Sequence, residues 1–107
     1  MFYSANNDKK ESYKAVVTPH TIQELKGKEV VITNLVITEK ADENGEILNV
    51  TSIKVDDTYY SSISKSLYDS AQAIINMFEP EDILDGFTIK VDSAESKNNR
   101  EFLFFNI

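Results

Sequence analysis

The run Glu29-Val30-Val31-Ile32-Thr33-Asn34-Leu35-Val36-Ile37-Thr38 decides the reading of the fold. It is dense in β-branched residues, which suit a pleated, half-buried surface, and so predicts a strand. Its apolar positions change parity near Asn34. A parity change within one strand predicts a bulge, which bends the strand and helps a sheet curl into a barrel. Downstream, residues 39–46 are mainly charged and contain Asn44-Gly45, a hairpin signal that leads into a second strand over about residues 46–55. Asp56-Asp57-Thr58 makes the next turn, and Tyr59-Tyr60-Ser61 reads as a short third strand.

Beyond that point the period changes. Ile63, Leu67, Ala71, Ile74 and Phe78 form the apolar stripe of an amphipathic helix, with Ser64 as its N-cap and Pro80 beyond its end. An acidic connector over 79–85 leads to Gly86 and a fourth strand, in which Phe87, Ile89 and Val91 alternate with Thr88 and Lys90. A polar loop over 92–99 joins it to a fifth strand over 100–107. There Phe102 and Phe104 face one way and Leu103, Phe105 and Ile107 the other, and both faces are expected to be covered. Upstream of the decisive run, Thr21 with Glu24 three residues later caps a short helical turn that Gly27 stops. The polar residues 1–18, closed by Pro19, read as a loosely held arm preceding a domain over 19–107. The chain is mainly β with one helix, in the order β-β-β-α-β-β.

Composition bounds the function. The 107 residues suffice for one core, and 41% hydrophobic content with five tyrosines and six phenylalanines makes a packed interior affordable. No segment has the apolar length of a membrane span or signal peptide, and there is no cysteine, so the expected compartment is the cytoplasm, away from membranes. His20 is the only histidine and has no cysteine or second histidine with which to build a zinc site or a catalytic triad. The glycines at 27, 45 and 86 stand apart and form no phosphate-cradling loop. Neither acidic cluster, Asp42-Glu43-Glu46 nor Glu79-Glu81-Asp82-Asp85, has EF-hand spacing. The expectation is a binding protein rather than an enzyme, with no cofactor and no metal.

Three meandering strands, a helix and a closing pair follow the order of the OB-fold, a five-stranded Greek-key barrel that binds oligonucleotides. The hairpin Ser52-Ile53-Lys54-Val55-Asp56-Asp57-Thr58-Tyr59-Tyr60-Ser61-Ser62-Ile63-Ser64, followed at once by the helix, is one part of a closer likeness. The closing Gly86-Phe87-Thr88-Ile89-Lys90-Val91 and Asn99-Arg100-Glu101-Phe102-Leu103-Phe104 are the other. Over about residues 28–107 the chain resembles the small single-stranded DNA-binding proteins of phages and conjugative plasmids of Gram-positive bacteria. That resemblance implies sequence-tolerant binding of single-stranded DNA in replication, recombination or transfer, beside replication or recombination proteins. The chain departs from many bacterial members in ending on a hydrophobic strand rather than an acidic tail, and in having few basic residues.

Single-strand binding needs aromatic platforms for bases and cations along the phosphate path. Tyr59 and Tyr60 are neighbours in a strand and point to opposite faces, so one is expected in the core and the other on the ligand face. Lys54 lies across the same hairpin, so the expected ligand face is that of the second and third strands. Lys90, on the polar face of the fourth strand, and Lys97 and Arg100, flanking the last loop, extend a basic path, with Phe104 or Phe102 lengthening the platform. The competing reading has the tyrosines covering barrel surface and Phe87, Phe102, Phe104 and Phe105 filling the core. The net charge of −7 supports a different function class, an acidic module that docks a replisome or host protein or imitates DNA charge. The apolar last strand also leaves room for pairing with a second copy.

Overall fold

The computed structural model describes residues 2–107. The elements are β1 (Tyr3–Ser4), α1 (Lys9–Val17), a 3-10 turn (Ile22–Leu25), β2 (Glu29–Ile32), β3 (Asn34–Ala41), β4 (Ile47–Val55), β5 (Thr58–Ser62), α2 (Lys65–Met77), α3 (Pro80–Leu84), β6 (Phe87–Glu95) and β7 (Glu101–Asn106). The run expected to be one bulged strand is two strands with the break at Thr33, and they belong to different sheets. β2 pairs antiparallel with β6, while β3 pairs antiparallel with β4. The parity change therefore marks a corner at which the chain leaves one sheet for the other. The sheets have the orders β1-β3-β4-β5 and β2-β6-β7.

Their inner faces meet in one core that includes Ile32, Leu35, Ile37, Ile53, Leu67, Ile83, Ile89 and Val91, all essentially without solvent access. The result is a compact, mainly β, barrel-like domain with a Cα radius of gyration of 13.2 Å. α2 forms where the apolar stripe predicts it. The Ser64 side chain accepts a hydrogen bond from the Leu67 amide, and Leu67, Ala71 and Ile74 are buried. The helix packs on β4 and β7, and its Ser70 hydroxyl accepts the Phe105 amide on the outer edge of β7 at 3.2 Å.

Three further expectations are corrected. Residues 3–17 are not a loose arm: Tyr3 and Ser4 pair with Ile37 and Val36, and α1, capped by Asp8, buries Ser12 and Ala15 against the sheet. The acidic connector contains α3, started by Pro80 and by the Asp82 carboxylate, which accepts the Glu79 amide at 2.9 Å. β6 runs on through residues 92–95, read from sequence as loop, because those polar residues find ladder partners in β7, from Asp92↔Phe104 to Glu95↔Glu101.

Candidate nucleic-acid interface

Alternation along the β6–β7 hairpin sorts its side chains. Val91, Leu103 and Phe105 point inward and are buried, so Lys90, Asp92, Ala94, Phe102, Phe104 and Asn106 lie on the outer face. That face was expected to be covered, and it is open. Phe102 is 38% exposed, Phe104 is half-buried, and their rings lie 6.1 Å apart between centroids at 43°. Burial is the ordinary fate of phenylalanine, so an adjacent, mutually tilted pair reaching the outer sheet face stands out as an apolar patch.

Lys90 shares this face. Lys97 and Arg100 stand at the hairpin tip, in a turn closed by the Ser96 amide donating to the Arg100 carbonyl at 2.8 Å. None of these three cations makes an ion pair among the described residues. Carboxylates of the same hairpin are partly engaged. Glu101 pairs with Lys26, while Asp92 accepts the Ser93 amide and the Asn106 side chain, which hold its pKa below the usual aspartate value.

Lys54 and Tyr59 lie elsewhere, on the outer face of β4 and β5 beneath α1. They are cross-strand partners, with the Lys54 Nζ 5.7 Å from the Tyr59 ring centroid. Tyr59 is 5% exposed, and with Val36 and Ala15 of α1 it forms a small second core. Its hydroxyl accepts from the Asn34 Nδ2 at 2.8 Å and donates to the Glu11 carboxylate at 3.3 Å. Glu11 in turn accepts from the Lys54 Nζ at 2.7 Å. This contact lowers the Glu11 pKa and raises that of Lys54, while burial raises the Tyr59 phenol.

Tyr60, on the opposite face of β5, packs half-buried against the main core with its ring centroid 5.5 Å from that of His20. The alternation of the two tyrosines is as expected, but neither ring stands open. The structure thus gathers Lys90, Lys97, Arg100 and Phe104, with Phe102, on one hairpin and separates them from Lys54, Tyr59 and Tyr60. Glu11 and Asn34, which engage Lys54 and Tyr59, went unread in the sequence. Asn34 was marked only by its place in an apolar run, and Glu11 carried no signal. No cluster of three or more potential metal ligands exists among the described residues, and no helix is long and apolar enough to cross a membrane.

A family model for phage single-stranded DNA-binding proteins, of the phi29 type, matches residues 1–107. No curated protein and no solved structure gives a significant match.

Proposed function

The chain belongs to the phage single-stranded DNA-binding protein family, and we propose that it coats single strands during phage genome replication, across the outer face of β6 and β7. The observation that carries this placement is the Phe102–Phe104 pair, one ring exposed and the other half-buried, on the same sheet face as Lys90, with Lys97 and Arg100 at the tip. Stacking on an aromatic ring is worth roughly 1–3 kcal/mol per base and tolerates any sequence, because every base has a π-face. The cations then follow the phosphates without reading bases. Such binding needs no cofactor, no catalysis and no membrane, and takes place in the cytoplasm of the infected cell.

The strand order supports an OB-fold reading. β2 and β3 together act as the long first strand shared by both sheets, β4 and β5 continue the meander, α2 is inserted, and β6 and β7 close the order. Under this reading the loop at Lys97 and Arg100 is the one OB-folds use as a jaw. Lys54 and Tyr59, joined to Glu11 and Asn34, hold α1 to the sheet.

Anisotropy of a labelled 30-nucleotide oligo(dT), titrated at low and high salt with a duplex of equal length as control, tests the proposal. Expected is salt-sensitive binding to the single strand alone, weakened about fivefold or more by Phe102→Ala or Phe104→Ala. No binding at tens of micromolar protein and low salt would overturn it and favour the acidic protein-binding module.

A further inference from the structure

We propose that the outward face of α1 is a second contact surface for the same single strand; this rests on the DNA-binding reading above. α1 lies over β3, β4 and β5 with Ser12 and Ala15 buried and Glu11 turned toward Lys54. Spacings of about four then place Lys9 with Tyr13, and Lys10 with Lys14, on the side away from the sheet. Tyr13 is 67% exposed. Lys9 and Lys10 make no ion pair among the described residues, and Lys14 sits 3.6 Å from Glu11.

The carboxylates nearest this face are engaged, and only Glu11 reaches one of its lysines, Lys14, through the oxygen that Lys54 does not use. The Asp8 side chain caps the helix by accepting the Lys10 and Glu11 amides at 2.9 and 3.2 Å, and Glu11 holds Lys54. In a chain of net charge −7, this leaves a cationic strip with an aromatic ring in it.

The placement of the lysines runs against local helix physics. Lys9 and Lys10 occupy the first turn, where the helix dipole disfavours cations, and Lys10 and Lys14 are a like-charge pair four residues apart. Residues that break local rules without a structural gain point to function. Here the gain is chemical: a tyrosine face for one unstacked base, with ammonium groups within a turn of it for the adjoining phosphates. A duplex keeps its bases stacked and offers the ring nothing, so the ligand is a single strand.

Four variants test this on the same oligo(dT): Lys9→Gln with Lys10→Gln, Tyr13→Ala, Tyr13→Phe, and a charge-matched control, Lys28→Gln with Lys40→Gln. All the substituted side chains are exposed, so the thermal midpoint should hold in each. Expected for the first is affinity at least fivefold weaker and a log–log salt slope shallower by about 1.4, two phosphates at about 0.7 each. Tyr13→Ala should weaken binding at least fivefold, Tyr13→Phe should restore it, and the control should keep close to the wild-type slope. If the wild type binds and Phe102→Ala weakens binding while the lysine double variant and Tyr13→Ala both match the control, the inference is overturned and the function stands. If the variants alter only self-association, it is also overturned. If the wild type does not bind, both readings fall.

Discussion

Replacing Tyr59 with phenylalanine isolates the hydroxyl that ties three segments together. Asn34 has no solvent access, and its Oδ1 already accepts the Leu35 amide at 3.0 Å and the Asn6 amide at 3.2 Å. Its Nδ2 donates to the Tyr59 hydroxyl at 2.8 Å. In Tyr59→Phe the ring still fills its place against Val36 and Ala15, so no cavity opens. What changes is that a buried amide nitrogen loses its acceptor, a desolvation penalty of about 1–3 kcal/mol. Glu11 also loses a donor, but at 3.3 Å this is the weaker contact, and it keeps Lys54 at 2.7 Å. The expected cost is therefore about 1–2 kcal/mol, which for a domain of this size lowers the melting midpoint by roughly 4–8 °C per kcal/mol. Urea unfolding followed by circular dichroism measures it, with Tyr60→Phe on the other face of β5 as baseline. Loss within about 0.5 kcal/mol of that baseline, the range of an ordinary surface substitution, would refute the assignment of this hydroxyl as the acceptor for Asn34.

Gly86 has φ of +101°, and a Cβ there would stand 3.3 Å from the Val31 Cγ1, so Gly86→Ala should cost about 1–3 kcal/mol in the same unfolding assay. Asp56 and Asp57 turn the β4–β5 hairpin with φ of 49° and 65°, a two-residue turn that favours glycine at its second position. Asp57→Gly should raise stability by up to about 1 kcal/mol, because glycine relieves the left-handed strain while the ion pair lost, at 3.9 Å to Lys54 from a fully solvated Asp57 carboxylate, contributes little. Glu11 titrates below the ordinary carboxyl value when folded, foremost because Lys54 donates to it. Its contribution is present above the unfolded glutamate value of about 4.3 and is lost as pH falls through the lower folded value, so acidification below about pH 4.3 should destabilise the wild type more than Glu11→Gln.

Much of this architecture was legible because burial imposes a period. The stripe of α2 and the alternation in β6 each need one apolar face, and the parity change at Asn34 located the corner where β2 gives way to β3. α1 escaped because the residues it buries, Ser12 and Ala15, are small and leave no apolar stripe to read. The polar end of β6 escaped for a related reason: beyond Val91 its side chains are only partly covered, so the ladder persists without a hydrophobic pattern. For the site, adjacency in the strand foretold that Tyr59 and Tyr60 diverge. Which face stays open could not be read, because Glu11, the partner of Lys54 and Tyr59, lies 43 and 48 residues away in sequence.

The same partners resolve the conflict between an acidic chain and a polyanionic ligand. Many of its carboxylates serve as local punctuation in a sequence with three glycines and two prolines. Asp8 caps α1, Glu24 accepts the Thr21 amide, Asp42 accepts the Asn44 and Glu46 amides, and Asp82 accepts the Glu79 amide. Asp56 and Asp57 supply left-handed turn positions. These charges are fixed by the backbone they terminate, and at physiological salt their repulsion is screened beyond about 8 Å. Lys9, Lys10, Lys90, Lys97 and Arg100 are spent on no comparable contact among the described residues. A third of the acidic residues are thus accounted for by turns and caps, so the net charge of −7 does not argue against the proposed path of the phosphates along the cations beside Tyr13, Phe102 and Phe104.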